Sequence, residues 1–229
     1  MRRPVFIARQ SARPSGIVGR AIVWIMARET AELNERATTL LSLSPSDQVL
    51  EIGFGHGRTV ACIAAAVPQG RVAGVDVSDS MTRLAIRHNR RAVAAGRLDL
   101  RTGDAASLPF DNGEFDKALS VHTVYFWNDP RACLREVRRV LRPGARFVLG
   151  FTPSASVRAA SFPAEVYTFY DENQIRAMLT EAGFASVELT RVGDAFLAVA
   201  LVPSLPAVAG GHARFLLPII WEPQSSRTT

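Results

Sequence analysis

Lysine is almost missing from this chain. Lys117 is the only one, although Lys and Arg together number 27. A basic balance carried by one residue type marks a compositional bias rather than a binding surface. Cysteine is also scarce. Cys62 and Cys133 cannot build a disulfide framework, so a reducing, cytoplasmic setting is expected. Long apolar runs are absent as well. The longest, VACIAAAV (60–67) and AFLAVALV (195–202), fall well short of the roughly 20 residues that cross a bilayer. The opening MRRPVFIARQ lacks the apolar core of a secretory leader, so none is expected. No internal repeat and no metal-ligand cluster is visible, and no metal is expected.

What is present suits a folded domain. The 229 residues are 48% hydrophobic, enough for one sizeable core. The net charge is +6, and the first 20 residues carry five Arg and no acid. Such an arm could touch nucleic acid or anionic lipid; a solvated or folded-back arm is the favoured reading. Deleting residues 1–15 is accordingly expected to leave ligand binding intact. Ile17, Ala21, Trp24, Ile25, Leu33, Ala37, Leu40 and Leu41 recur at helical spacing, which predicts a helix from Gly16 to Leu43. From residue 47 strands and helices alternate. Strands are expected at 47–52, 71–77, 98–104, 114–124 and 145–152, with helices at 57–68, 79–96, 129–144 and 171–184. ASVELTRV (185–192) and AFLAVALV (195–202) flank Gly193-Asp194 as a closing hairpin. The pattern predicts a mostly parallel α/β sheet with helices on both faces. The expected organisation is an arm and lid helix (1–44), a main domain (45–203) and a Pro-rich tail (204–229), whose RFLLPIIW (214–221) could pack on something.

The stretch VLEIGFGHG (49–57) carries the first functional signal. Gly53, Gly55 and Gly57 follow a buried strand at alternate positions, where a ligand crevice opens in such sheets. Bare backbone there lets a ligand approach the following helix amides. Asp76 stands at the end of the second strand, placed to accept hydrogen bonds from two ribose hydroxyls. The spacing is G-x-G-x-G, not the dinucleotide G-x-G-x-x-G, and Glu51 precedes it. An acid beside the loop is poor company for a pyrophosphate. It suits a nucleoside with an ammonium group and a sulfonium centre, S-adenosylmethionine rather than NAD.

These residues resemble the class I S-adenosylmethionine-dependent methyltransferases. EIGFGHG (51–57) looks like the family's first motif, and GVDVS (74–78) like the motif with the ribose-binding acid. GDAASLPF (103–110) resembles the adenine-contacting segment, FDKALSVHTVYFW (115–127) the fourth strand and reaction loop, and LRPGARFVLG (141–150) the helix–turn–strand signature, with Ala145 in place of its second glycine. The resemblance runs from about 47 to 202. It implies a Rossmann-like seven-stranded sheet in the order 3-2-1-4-5-7-6 with an antiparallel last pair. It also implies that Gly53, Gly55 and Gly57 approach the methionine and ribose portions, that Glu51 orients the amino group, and that Asp76 holds the ribose. Val77 and Met81 would flank the adenine, while Asp104 and the Ala105 amide would bond its edge.

Methyl transfer needs an aligned acceptor and a place for its proton. His122 is the natural base and Tyr125 a pocket or orienting residue, with Thr123, Phe126 and Trp127 beside them. His56 is expected to face solvent, and Asn34 is a possible lid residue. SVHTVYFW differs from the [DNS]-P-P-[YFW] tetrad of nucleic-acid-base amino methyltransferases. The pattern is similar instead to the branch acting on quinones and related small molecules. There the segment after the fifth strand helps to build the pocket. Phe162, Tyr167, Phe169 and Tyr170 could do so here, around a small apolar or aromatic acceptor, or could equally be core. The alternatives are an RNA or protein methyltransferase using the Arg-rich arm, and a catalytically silent S-adenosylmethionine-binding domain.

Overall fold

Adjacent residues on a strand point to opposite faces, so burial of both neighbours means that both faces are covered. Val49 and Leu50 are both fully buried on β1 (Gln48–Ile52). Val49 belongs to one core cluster, with Val60, Ile63 and Leu119, and Leu50 to another, with Phe147, Leu149 and Ile175. This comes from a computed structural model of the chain, which describes residues 4–16, 19, 22, 25 and 28–204. The tail beyond 204, and Ile17, Ala21 and Trp24 of the expected helix, lie outside the described residues.

The described chain begins with α1 (Val5–Ala12) and continues to α2 (Ala31–Leu40), β1, α3 (Arg58–Ala66), β2 (Arg71–Asp76), α4 (Asp79–His88), α5 (Arg90–Ala94) and β3 (Leu98–Thr102). Then follow β4 (Phe115–Val121), α6 (Pro130–Val140), β5 (Leu141–Phe151), α7 (Glu172–Glu181), β6 (Ser186–Val192) and β7 (Ala195–Leu201). Seven strands form one sheet in the order β3-β2-β1-β4-β5-β7-β6. The pairs among β1 to β5 are parallel, and β7 runs antiparallel to both β5 and β6. The order therefore reverses beside β1, and its carboxyl end, with those of β2 and β4, forms a crevice.

Four departures from the sequence-based expectation are larger than a residue or two of fraying. The described residues between 16 and 29 are helical, but Thr30 (φ −104, ψ 1) interrupts the run before α2. The Thr30 carbonyl there accepts both the Asn34 side-chain amide (2.9 Å) and the Asn34 backbone N–H (3.0 Å). Asn89 splits the expected 79–96 helix, because its amide caps the Ala85 carbonyl (2.9 Å) and also reaches the Gly57 carbonyl (3.0 Å). α6 stops at Val140, with Leu141 already extended and β5 starting there, because Pro143 disfavours helical geometry at Arg142. β4 ends at Val121, short of the expected 124, where His122 turns into positive φ. The arm also folds: α1 buries Ala8 to 1% exposure in the core.

Candidate functional site

The glycine loop divides its labour. Gly53 (φ +78) lies so near the end of β4 that an added Cβ would stand 2.2 Å from the Thr123 methyl. Thr123 cannot easily yield, since its hydroxyl is bonded to Ser120, which in turn donates to the Ile52 carbonyl (3.1 Å). Gly57 (φ +81) faces α4 instead, where a Cβ would meet Ala85 at 2.7 Å. Gly55 (φ +55) alone has open space at its missing side chain. Two of the three glycines thus let neighbouring elements close up, and one leaves room. Gly53→Ala should cost roughly 2–4 kcal/mol, from overlap plus left-handed strain. Adding Thr123→Ser, which deletes the methyl, should recover only the overlap part. Urea denaturation of the single and double variants measures both.

The loop is tied to β2 by Asp76. The Gly55 N–H donates to Asp76 Oδ2 and the Ser78 N–H to Oδ1, each at 2.8 Å. Asp76 is buried, and burial raises its pKa against those two stabilising bonds. Behind it stands Glu51, on the adjacent strand β1 and 5% exposed. Among the described residues its Oε2 is buried without a hydrogen-bond partner. Burial first, then the Asp76 charge, push its pKa up to about 8. Two stacked acids with one unmatched oxygen form a floor that a bound cation would hold in its ionised form.

That floor belongs to a cavity of about 670 Å³ at the carboxyl ends of β1, β2 and β4. It brings together Glu51, Gly53, Gly55, Asp76, Val77, Met81, Asp104, Ala105 and His122. Gly57 and Tyr125 stand outside its lining, behind the wall. Val77 is exposed at 44%, an apolar side chain presented at the rim, while Met81 and Ala105 are buried. Asp104 is exposed, and its Oδ1 accepts from the Ala106 N–H (2.9 Å), so it caps the following turn. His56 is half-buried at the wall, not wholly in solvent; burial, then His88 and Arg58, lower its pKa. Cys62 lines the cavity, and Cys133 is buried, its thiol pushed up to about 12 mainly by burial.

The lining also takes in Val121, His122, Phe126, Trp127 and Asn128 after β4, and Asn34, Glu35 and Thr38 of α2. His122 Nδ1 lies 3.1 Å from the Tyr125 hydroxyl. Burial, then Arg158, lower the His122 pKa to about 4, so the ring is neutral at pH 7. The aromatic residues after β5 are elsewhere. Tyr167 stacks on Phe169 (5.5 Å, 6°) and meets Phe162 at 4.5 Å, and the group packs on Tyr125 and Phe126. They fill core between the sheet and α6–α7, because their rings satisfy one another there. Tyr170 borders a separate cavity of about 380 Å³ with Asn128, Arg131 and Gln174. None of the four lines the main cavity.

Some cavity residues carried no sequence signal. Ser11, Ala12 and Pro14 close it from above, and the Pro14 carbonyl accepts from Ser78 Oγ (2.7 Å) and Ser80 Oγ (2.6 Å). Asn89, bracing the glycine loop, was equally silent. Its only cue is an Asn late in a helix pattern.

A family model described as "Methyltransferase domain" matches residues 50–149, the segment that builds this crevice. The "Putative methyltransferase YrhH" of Bacillus subtilis (strain 168) is 30% identical over 122 residues, 53% of this chain and 67% of that one. The chain belongs to the class I S-adenosylmethionine-dependent methyltransferases. Within this family an "O-methyltransferase" of Pyrenophora dematioidea is 30% identical over 172 residues, 70% of this chain. The alignment spans 64% of that relative's length. The crystal structure of a SAM dependent methyltransferase from Aquifex aeolicus matches the fold with a TM-score of 0.64 at 22% identity, covering 74% of this chain and 89% of that one.

Proposed function

We propose that this chain transfers the methyl group of S-adenosylmethionine to a small molecule. One observation carries the reading: a single cavity joins the acid-floored glycine loop to the His122–Trp127 wall. The residues fit the cofactor. The unmatched Glu51 Oε2 suits its ammonium group, Gly55 leaves room for its backbone, and exposed Val77 offers an apolar face for a purine. Asp76 would accept from the ribose hydroxyls through lone pairs that its two amide partners leave free. Met81, Asp104 and Ala105 would border the adenine. Gly53 and Gly57 act on this site indirectly, by letting Thr123 and Ala85 pack against the loop.

The cofactor supplies an activated methyl group, so the protein's task is alignment and exclusion of water. The acceptor would lie between α2 and the wall after β4, with Phe126 and Trp127 toward an apolar part and Asn34 or Glu35 toward a polar one. A small acceptor of mixed polarity fits better than a wholly apolar one. Transfer to oxygen is supported by the fungal O-methyltransferase relative. Folding of α1 onto the core, with Pro14 pinned beside Asp76, weighs against the basic arm as a grip for RNA.

Incubation with methyl-labelled S-adenosylmethionine tests the reading. Label should enter a small phenol, enol or carboxylate from a panel. Label entering only RNA or protein, or no binding of the cofactor by calorimetry, would contradict it. The arm has its own test. Deleting residues 1–15 removes the Pro14 roof, and so should weaken S-adenosylhomocysteine binding several-fold, contrary to the expectation from sequence. Calorimetry on the truncated chain, with circular dichroism to confirm folding, decides.

A further inference from the structure

His122 is one of two described non-glycine residues with positive φ (58°), and its N–H is anchored on the Gly150 carbonyl (2.8 Å). Such a backbone is costly for a non-glycine side chain and persists where the surroundings enforce it. It turns the ring at the end of β4 into the cavity wall and sets Nδ1 3.1 Å from Tyr125 Oη. Tyr125 itself is 5% exposed and behind the wall, packed by Phe169 at 4.7 Å. Its Oη accepts the Thr152 N–H. A neutral phenol has one proton to give. Burial pushes the Tyr125 pKa up to about 12, so that proton stays on. A neutral imidazole has one donor and one acceptor nitrogen.

We propose that Tyr125 donates to His122 Nδ1 and so fixes the imidazole as its Nε2–H tautomer, which offers the methyl acceptor a hydrogen-bond donor and not a base. This rests on the methyltransferase reading for its substrate part alone. Tyr125 is then a positioning residue, and His122 is the group that meets the acceptor. The acceptor enters with its nucleophilic lone pair already free, its proton left in water. It carries a hydrogen-bond-accepting atom, such as the oxygen of a carbonyl, carboxylate or second oxyanion, within reach of Nε2. The chemical class is an acidic enol, phenol or carboxylic acid bearing a neighbouring oxygen.

The tautomer is testable without cofactor or acceptor, so its failure is separable from failure of the methyltransferase reading. Long-range proton–nitrogen spectra of the ¹⁵N-labelled full chain, assigned by loss of signal in His122→Gln, should show a protonated Nε2 and a bare Nδ1 at pH 7. Tyr125→Phe should abolish that preference. A protonated Nδ1 with a bare Nε2, as when Tyr125 gives its proton to the Thr152 hydroxyl, would overturn the proposal. With an acceptor in hand, His122→Gln places an amide N–H near the Nε2 position and should hold kcat within about tenfold, whereas His122→Asn should lose about 10²-fold. Stability should rank the two variants the other way, because Asn tolerates positive φ better. Activity that follows stability would reduce His122 to a structural role and overturn the assignment.

Discussion

Glu51→Gln is expected to make the ligand-free protein more stable at pH 9 than the wild type, and at the same time a poorer binder of S-adenosylmethionine. Glu51 holds its proton up to about pH 8 in the folded chain, against an ordinary value of 4.5. A raised pKa means that the folded state binds the proton more tightly than the unfolded one. The favourable contribution is therefore complete below about pH 4.5 and fades as pH rises through 8. The full difference is up to about 5 kcal/mol at one pKa unit per 1.36 kcal/mol. Glutamine keeps the neutral shape and has no proton to lose, so its stability should stay flat across that window. His122 acts in the opposite sense: with a pKa lowered to about 4, it withdraws stability as pH falls below about 6.5. Ligand binding should report the same acid. A cationic group beside Oε2 requires the carboxylate, so cofactor affinity should climb with pH toward 8, by at most tenfold per unit, and in Glu51→Gln that slope should vanish. Urea titrations and calorimetry at pH 6, 7, 8 and 9 give both curves. A wild type whose stability does not fall above pH 7, or a variant that keeps the pH slope, would refute the assignment.

Asp76→Ala should lose at least tenfold in affinity for S-adenosylhomocysteine, a contact of roughly 1.5–3 kcal/mol. It should also destabilise the free protein, for a separate reason. The carboxylate is the acceptor for the Gly55 and Ser78 amides, and its removal strands two donors beside the glycine loop. Each costs roughly 1–3 kcal/mol if water does not replace the oxygen. Asp76→Asn should be little better, because its NH2 would oppose one of those N–H groups. The two effects are separable: the ligand effect is read from calorimetry at low temperature, where the variant remains folded, and the loop effect from the urea midpoint. Unchanged affinity in a folded Asp76→Ala protein would remove Asp76 from the ribose site.

The sheet order followed from the resemblance of the motifs to the methyltransferase family, and the α/β class from apolar runs of strand length that alternate with helix-length amphipathic segments between 47 and 202. The crevice was legible for the same reason: Gly53, Gly55 and Asp76 sit at strand ends, where topology alone puts the opening. What stayed hidden depends on which side chains meet. Phe162, Tyr167 and Phe169 read equally well as pocket wall or core until their mutual packing is seen. Helices are interrupted at Thr30 and Asn89, where side-chain amide bonds gather that periodicity cannot register. α1 is short and Arg-flanked, and its tertiary contacts, Ala8 in the core and Ser11 and Ala12 at the cavity, mark it as part of the fold. The distinction between Gly55 and its two neighbours is likewise tertiary, since Thr123 and Ala85 come from distant elements.

A crystal structure of the chain with S-adenosylhomocysteine tests the central claim most directly. The account predicts the ribose hydroxyls within hydrogen-bond distance of Asp76, the amino group against Glu51, the purine on Val77 and the sulfur facing His122. A nucleoside seated outside the crevice, or one whose amino group points away from Glu51 and whose ribose leaves Asp76 bonded only to Gly55 and Ser78, would contradict it.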